Sequence, residues 1–294
     1  MVISDACQET IVFNKIGFIG LGLIGGSIAQ MIWATYKDCQ LYSAGTSQDT
    51  IDYAVKNKII DQGFLNIEDL PKDLDLVFIC TPIQYITHSI ERVTKHINNP
   101  NLIITDVGSI KTEIINHLPP LESGHLFIPG HPMAGSEKTG ILNSNEKLLE
   151  HCTYFLVPSS DHRYHQFKSF LQTLSFNVNE MDMEKHDYLA GLASHFPYLN
   201  ACLTASSGLL LTKEDRDLFK HVVSSGYLDT SRVARSDPKW GADICLYNGN
   251  NILDRLCELE HEIKVLKKLI KRKDRGGLTV YFSKIKKSQD DLLS

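Results

Sequence analysis

A glycine pattern near the N-terminus constrains the fold more than any other feature of the chain. Gly20, Gly22 and Gly25 form the pattern G-x-G-x-x-G between the apolar stretch Lys15–Ile19 and a second apolar stretch, Ser27–Tyr36. When a strand turns through such glycines into a helix, the backbone can approach a pyrophosphate, and the free N–H groups of the helix N-terminus attract it. The context of strand, glycine turn and helix therefore predicts a dinucleotide site.

The end of the second predicted strand bears on the choice between NAD and NADP. A carboxylate there would bind the ribose 2′-hydroxyl, but Gly45, Thr46 and Ser47 occupy these positions and no acid occurs before Asp49. The hydroxyls of Thr46 and Ser47 could bond to a 2′-phosphate, and the missing acid removes repulsion against it, so the sequence favours NADP. No arginine follows to strengthen that preference. The predicted contacts of the NAD(P) cofactor are Gly20, Gly22, Leu23, Ile24, Gly25, Thr46, Ser47, Thr81 and Pro82.

The remainder of the first half alternates short apolar runs with mixed segments, which is typical of βαβ units around a parallel sheet. A helix is predicted at Ile51–Lys58. Further strands are predicted at Gln40–Ala44, Leu74–Cys80, Leu102–Asp106, Phe127–Ile128 and Tyr154–Val157. The character of the sequence changes near Met181–Glu184, and from His186 onward the apolar residues follow helical spacing. We therefore expect an α/β chain, with a Rossmann-type doubly wound domain over 1–181 and an all-helical domain over 182–294.

Composition narrows the class of protein. The 294 residues carry a formal net charge of -5, which argues against a nucleic-acid binder. The seven cysteines are an odd number without a CxxC pair, so neither a disulfide framework nor a cysteine zinc site is expected. We expect no metal and no membrane span. The N-terminal stretch lacks the apolar core of a signal peptide, and we predict a cytoplasmic protein.

A regular apolar seam lies in the C-terminal part of the chain. Its members follow alternating spacings of four and three residues: Ile252, Leu256, Leu259, Ile263, Leu266 and Ile270. Such a seam is typical either of a core helix in a bundle or of a dimer contact. The neighbouring basic run mostly falls off the seam and is interpreted as a solvated face.

Further motifs follow the predicted strands or lie in the helical half. They are LVFICTP (Leu76–Pro82), TDVGSIK (Thr105–Lys111), PGHPMAGSEKTG (Pro129–Gly140), HDYLAGLASHFPY (His186–Tyr198) and DTSRVARSDPKW (Asp229–Trp240). In order and spacing, the chain resembles the prephenate/arogenate dehydrogenases of tyrosine biosynthesis. The resemblance implies oxidative decarboxylation of prephenate to 4-hydroxyphenylpyruvate, or of arogenate to tyrosine. It also implies a homodimer and a site between the two domains.

The resemblance also implies roles for residues at the predicted strand ends. His131 would accept the proton of the substrate 4-hydroxyl, as a neutral imidazole can at physiological pH. Ser109 would bond both the substrate hydroxyl and His131; alternatively, it caps the helix that begins near Lys111.

Arg232 matches the arginine that binds the ring carboxylate, a role suited to a bidentate guanidinium. The alternative role for Arg232 is a salt bridge at the surface or within the helical bundle. Arg235, three residues on, is the alternative carboxylate anchor. Glu137 and Lys138 are expected at the rim of the substrate site.

His195 matches the first histidine of the family pattern S-H-x-P-H, and we expect it to contact substrate. Tyr198 replaces the second histidine, which leaves the choice between prephenate and arogenate open. His186 and Asp187 also recur in the pattern, where they either act in the site or only pack or cap the helix.

Two other classes of protein remain compatible with parts of the sequence. Dehydrogenases of the β-hydroxyacid or imine-reductase type share the two-domain plan, but they usually carry a catalytic lysine in the helical domain and do not need GHPMAGSE. A catalytically silent nucleotide-binding protein is the other alternative, and the presence of His131, Ser109 and Arg232 argues against it.

Overall fold

The computed structural model describes residues 13–122 and 124–294, so Cys7 and most of the stretch to which the signal-peptide prediction applies lie outside the described residues. The chain divides into two compact units, one ending at Asn248 and the other comprising Gly249–Ser294. Among the described residues, no helix is long and apolar enough to cross a membrane. The same residues contain no group of His, Cys, Asp or Glu side chains that could hold a metal ion.

The first part of the chain alternates strands and helices around one sheet. Its elements are β1 (Lys15–Ile19), α1 (Leu23–Thr35), β2 (Gln40–Ala44), α2 (Gln48–Lys56), β3 (Gln62–Phe64), β4 (Leu76–Ile79), α3 (Ile83–His96), β5 (Ile103–Asp106), α4 (Thr112–Asn116) and β6 (Leu126–Ile128). The strand order is β3-β2-β1-β4-β5-β6, and every pairing is parallel. The order reverses between β1 and β4, which is the switch point where such sheets bind ligands.

Both faces of this sheet are buried, because successive strand residues point to opposite sides. Ile16 and Phe18 of β1 pack in one apolar cluster that includes Ile32 of α1. Ile19, at the end of the same strand, belongs to a second cluster that includes Ile90 of α3. Helices on both faces confirm the predicted doubly wound architecture.

A smaller sheet follows and carries the histidine of the GHPMAGSE motif. It comprises β7 (Gly130–Pro132), β8 (Thr153–Leu156) and β9 (Asn177–Glu180), with α5 (His162–Thr173) between the last two strands. β7 pairs antiparallel with β8, and β8 pairs parallel with β9. His131 lies opposite Phe155 in this register.

The chain from Met183 onward contains helices and turns. The helices of the first unit are α6 (Met183–Ala190), α7 (Phe196–Ser206), α8 (Lys213–Val222), α9 (Ser225–Ser231) and α10 (Pro238–Tyr247). A π-helical turn, Gly191–His195, joins α6 to α7, and a 3-10 turn, Arg232–Arg235, follows α9.

The second unit is a pair of helices, α11 (Gly249–Lys271) and α12 (Arg275–Leu293). The hydroxyl of Tyr281 on α12 donates to Glu262 Oε2 on α11 at 2.7 Å. The whole apolar seam lies on α11, where Ile252 is buried while Ile263 and Ile270 are 46% and 62% exposed.

The element boundaries differ from the sequence predictions in a few places. The first helix begins at Leu23 rather than Ser27, because Gly22 already serves as its N-cap. The second begins at Gln48 rather than Ile51, after the cap residue Ser47. The short strands β3, β7 and β9 were not predicted, because none of them forms a distinct apolar run.

Candidate active site

The glycine turn after β1 packs tightly against the end of β4. Gly20 has φ +85°, and a Cβ there would lie 3.1 Å from the Cys80 carbonyl oxygen. A Cβ on Gly25 would lie 2.8 Å from the Gly20 carbonyl oxygen. Neither position accepts a side chain without strain, which is the physical reason for two of the three glycines.

The N-terminus of α1 is open to a ligand. A Cβ on Gly22 would meet nothing within 4 Å, and Gly22 offers no side-chain cap to the helix. The N–H groups of Leu23 and Ile24 lie in the first turn, where they have no intrahelical acceptor. These features fit the diphosphate of a dinucleotide.

The other predicted cofactor residues follow the C-terminal ends of β2 and β4. Thr81 Oγ1 is buried and has no hydrogen-bond partner among the described residues, while Pro82 is the exposed N-cap residue of α3. Thr46 is exposed. Ser47 Oγ accepts the Thr50 N–H at 3.3 Å, so its oxygen already caps α2 and its hydroxyl hydrogen remains available.

His131 is the end of a hydrogen-bonded chain of side chains. Its Nδ1 lies 2.9 Å from Nε2 of His186, and Nδ1 of His186 lies 2.8 Å from Oδ1 of Asp187. The His186 ring also stacks on Phe155, with ring centroids 4.2 Å apart. His131 is partly exposed, whereas His186 and Asp187 are buried. Nε2 of His131 has no partner in the part of the chain that the structure describes.

The Asp187 carboxylate also holds the start of α4. Its Oδ1 accepts the backbone N–H of Lys111 at 2.7 Å, and its Oδ2 accepts that of Thr112 at 2.8 Å. Asp187 therefore caps α4 from another element. Ser109 does not cap that helix; it is partly exposed and makes no hydrogen bond within the described residues. Its predicted bond to His131 is not formed here, and its role stays a prediction.

A buried ion pair lies beneath the site and was not assigned a role from the sequence. Lys111 Nζ contacts Asp106 Oδ2, and both side chains are fully buried. The ammonium also donates to the Gly130 carbonyl oxygen at 2.6 Å, and Asp106 Oδ1 accepts the Gly130 N–H at 3.2 Å. The pair thus links the end of β5 to the residue before His131. Only the proximity of Asp and Lys in TDVGSIK pointed to it.

His195 is buried and is linked through Asn248 to Asp187, the last member of the hydrogen-bonded series His131–His186–Asp187. Asn248 Nδ2 lies 2.9 Å from His195 Nδ1 and donates to the Asp187 carbonyl oxygen at 2.9 Å. Because an amide nitrogen is a donor, Nδ1 of His195 accepts and Nε2 carries its hydrogen. That Nε2 is buried and has no hydrogen-bond partner within the described residues, which leaves a donor for a ligand.

Tyr198 is buried in the apolar core. Its ring packs edge-on against Trp240 at 5.1 Å between centroids. A Cβ on Gly241 would lie 2.3 Å from the Tyr198 hydroxyl, so the glycine is required for this packing. Tyr198 also belongs to a small apolar cluster with Ile110 and Ile244.

Two predicted substrate residues contact each other at the surface. Arg232 Nη1 lies 3.2 Å from Glu137 Oε2, with side chains 60% and 32% exposed. Lys138 is exposed, and its backbone N–H donates to Ser136 Oγ at 3.0 Å. Arg235 lies at the other end of the 3-10 turn.

Desolvation lowers the pKa of both His131 and His195. Desolvation of the imidazole, together with the nearby charge of Lys111, holds the pKa of His131 well below its usual value. Burial likewise lowers the pKa of His195 to about 4, against an opposing attraction from Asp187. Both imidazoles are therefore neutral at physiological pH, so His131 can accept a proton.

Family comparisons agree with this architecture. The family model described as "Prephenate dehydrogenase, nucleotide-binding domain" matches residues 28–178. The model described as "Prephenate dehydrogenase, dimerization domain" matches residues 182–284. The chain belongs to the prephenate dehydrogenase family. The glycine turn lies just before the first matched range.

Curated members of the prephenate dehydrogenase family align over most of the chain. The prephenate dehydrogenase of Bacillus subtilis (strain 168) is 32% identical over 280 residues, which cover 93% of this chain and 74% of that protein. The cyclohexadienyl dehydrogenase of Zymomonas mobilis subsp. mobilis is 27% identical over 282 residues, covering 95% and 96%.

Solved structures of the family share the fold. A crystal structure of prephenate dehydrogenase from A. aeolicus in complex with hydroxyphenyl propionate and NAD+ has a TM-score of 0.85 at 27% identity, covering 97% of this chain and 100% of that one. A Synechocystis arogenate dehydrogenase has a TM-score of 0.77 at 29% identity, covering 95% and 99%.

Proposed function

We propose that this chain is an NAD(P)-dependent dehydrogenase that oxidatively decarboxylates prephenate or arogenate, with His131 as the base. The observation that carries the proposal is the partly exposed His131, whose Nε2 has no partner in the described chain. Names of relatives support the reaction class, because they include prephenate, cyclohexadienyl and arogenate dehydrogenases.

The reaction removes a hydride from ring C4, the proton of the 4-hydroxyl, and carbon dioxide from C1. The chemistry that NAD(P) supplies when bound is acceptance of the hydride. His131 takes the hydroxyl proton on Nε2, and Ser109 assists by bonding the same hydroxyl. Because the ring becomes aromatic, product formation is strongly favoured once the proton and the hydride have left.

We assign the substrate contacts to further charged groups and donors that the family resemblance implies. Arg232 binds the ring carboxylate, for which a guanidinium is the best-suited group. The Nε2–H of His195 is a buried donor that gains its missing partner from a substrate oxygen. Glu137 and Lys138 form the rim.

The diphosphate of the cofactor lies against Gly20, Gly22 and Gly25 and the first turn of α1. NADP is favoured over NAD because β2 ends without a carboxylate, and Thr46 and the Ser47 hydroxyl hydrogen remain available to a 2′-phosphate.

Membership of the prephenate dehydrogenase family also supports a proposal for the domain boundary and the oligomeric state. We propose a domain boundary between residues 181 and 182, and a homodimer formed by the helical part. The second family model is described as a dimerization domain, and the single chain exposes large apolar side chains there, including Ile270, Val280 and Phe282. The six cysteines of the described residues are free, which suits a reducing compartment such as the cytoplasm.

One assay matrix tests the function. Formation of reduced nicotinamide is measured with prephenate and arogenate, each with NAD and NADP, for the wild type and His131→Asn. We expect turnover with at least one pair of reactants, and a kcat about 10²–10⁴-fold lower in the variant at unchanged cofactor affinity. Absence of turnover in all four combinations would refute the function. A loss below about threefold would remove His131 from the base role, since a positioned base contributes far more.

A further inference from the structure

The Asp187 carboxylate fixes the hydrogen on the neighbouring histidine. It accepts the backbone N–H groups of Lys111 and Thr112, and it lies 2.8 Å from His186 Nδ1. Although burial raises its pKa, the hydrogen bonds from His186 and from these backbone groups hold the pKa below the usual value. An ionised carboxylate only accepts hydrogen bonds, so Nδ1 of His186 must carry a hydrogen.

The next link fixes the hydrogen on His131. A neutral imidazole has one donor nitrogen and one acceptor nitrogen. In that form Nε2 of His186 is an acceptor. His131 Nδ1, at 2.9 Å, must then donate. The remaining nitrogen, Nε2 of His131, carries the free lone pair.

We propose that His186 and Asp187 are positioning residues that hold His131 as its Nδ1–H tautomer and so leave Nε2 to receive the substrate hydroxyl proton. This inference rests on the proposed function, in which His131 is the base. The substrate O–H bond breaks, its electron pair stays on oxygen, and the proton binds Nε2 to give an imidazolium. The Nδ1–H of that imidazolium still donates to His186, and the Asp187 charge balances it at the far end of the chain.

The same carboxylate couples His131 to the loop that carries Ser109. Asp187 binds the backbone of Lys111 and Thr112, which follow Ser109 closely in the chain. One side chain thus sets the tautomer of the base and holds the loop of its proposed partner hydroxyl.

Two substitutions at His186 separate positioning from packing. His186→Gln keeps an acceptor oxygen near the place of Nε2, whereas His186→Phe keeps a ring against Phe155 but has no acceptor. We expect His186→Phe to lower kcat on the order of 10- to 100-fold, a part of what the base itself contributes. We expect His186→Gln to lose less of the kcat. In both variants the KM for the substrate and the KM for the cofactor should stay within about twofold of wild type, because binding is not affected. The opposite order, with Phe tolerated and Gln damaging, would mean that His186 only packs.

The tautomer can be measured without substrate. In the full-length protein, the ¹⁵N resonances of the His131 ring are assigned by their loss in His131→Asn. We expect a protonated Nδ1 and an unprotonated Nε2 in the wild type, and a shift of the population toward Nε2–H in His186→Phe. A wild-type His131 protonated on Nε2 would overturn the proposal even in an active enzyme. Absence of turnover with every substrate would instead refute the proposed function, and the measured tautomer would not be affected by that result.

A matched pair of acid-to-amide changes on α6 gives the control. Asp187→Asn removes the charge at the end of the chain, whereas Glu184→Gln makes the same change at an exposed position of the same helix. We expect only Asp187→Asn to lower kcat and alter the His131 tautomer. Equal effects of the two changes would count against a specific role for Asp187.

Discussion

Arg232 Nη1 and Glu137 Oε2 lie 3.2 Å apart, although 95 positions separate the two residues in the sequence. Both residues were expected at the substrate site. In the structure the guanidinium of Arg232 pairs with the carboxylate of Glu137. A substrate carboxylate must therefore compete with Glu137 for the guanidinium. An ion pair this exposed is worth only about 0–1 kcal/mol, so the competition is one that a bidentate substrate carboxylate can win.

Replacing Arg232 should separate substrate binding from chemistry. Arg232→Ala should raise KM for the substrate by about ten- to a hundredfold, since hydrogen bonds to charged groups contribute roughly 1.5–3 kcal/mol. We expect kcat to fall little, because a contact made equally in ground and transition states changes only KM. Steady-state kinetics with each reactant varied in turn measure this, and KM for the cofactor should stay unchanged.

Three further variants test the assignment of the carboxylate anchor. Arg232→Lys should rescue only in part, because lysine lacks the planar fork, and Arg235→Ala should matter much less. Glu137→Gln removes the competitor and should leave substrate KM equal or lower. Should Arg235→Ala prove the more damaging change, the anchor lies at Arg235.

The buried pair of Lys111 and Asp106 should be essential for stability. Lys111→Met leaves the Asp106 charge buried without its partner, which should lower the free energy of unfolding by about 3–5 kcal/mol. Urea unfolding followed by circular dichroism measures the change.

Lys15→Met is the matched control for that substitution. Lys15 also pairs with an aspartate, Asp73, at 2.6 Å, but the two side chains are 33% and 66% exposed. We expect a loss of at most about 1 kcal/mol for this surface pair. Equal losses in the two variants would show that the Lys111 pair is not isolated from water in solution.

Burial of neutral His195 should make the protein less stable in acid. Its pKa is lowered from 6.5 to about 4 in the folded chain, so between these values the unfolded chain binds a proton that the native one does not. Stability from this group is complete above about pH 6.5 and declines as pH falls toward 4, by roughly 3 kcal/mol in all.

The variant His195→Asn isolates this contribution, because Asn keeps an acceptor for Asn248 but does not titrate. Urea unfolding at about pH 7 and about pH 4.5 should show a smaller acid loss in the variant than in the wild type. An identical loss in both proteins would mean that His195 is protonated without penalty in the native state.

The parts of the fold that sequence predicted are those with a local physical signature. Gly20 and Gly25 each have a steric reason. In β1 (KIGFI) and β2 (QLYSA) four of the five residues are buried, and the bounds of both strands agree with prediction. β7 contains glycine and proline, and β9 is the largely exposed sequence NVNE. Neither carries the periodicity of a half-buried strand, and only pairing with β8 makes them strands.

The candidate site divides in the same way. His131 could be singled out from its motif, but its link to His186 spans 55 positions and exists only after the helical part packs on the sheet. The capping of α4 by Asp187 is equally non-local, so the sequence offered only Ser109 as an alternative cap, and the structure does not show that alternative role. Asp106 and Lys111 are near each other in the sequence but follow no helical or strand period, so their nearness alone did not predict a buried pair.

The apolar seam on α11 should form a homodimer contact. Ile263 and Ile270 are 46% and 62% exposed in the single chain, and apolar surface of this kind is expected to be covered in an assembly. We expect sedimentation to show a dimer at micromolar concentration for the wild type, and a monomer for the double variant Leu259→Lys, Leu266→Lys, because buried unpaired lysines oppose association. Cys257→Lys adds the same charge at an exposed position of α11 outside the seam and should leave the dimer intact. A wild-type monomer would refute the homodimer itself, whereas a dimer that survives the double variant would place its interface away from the seam.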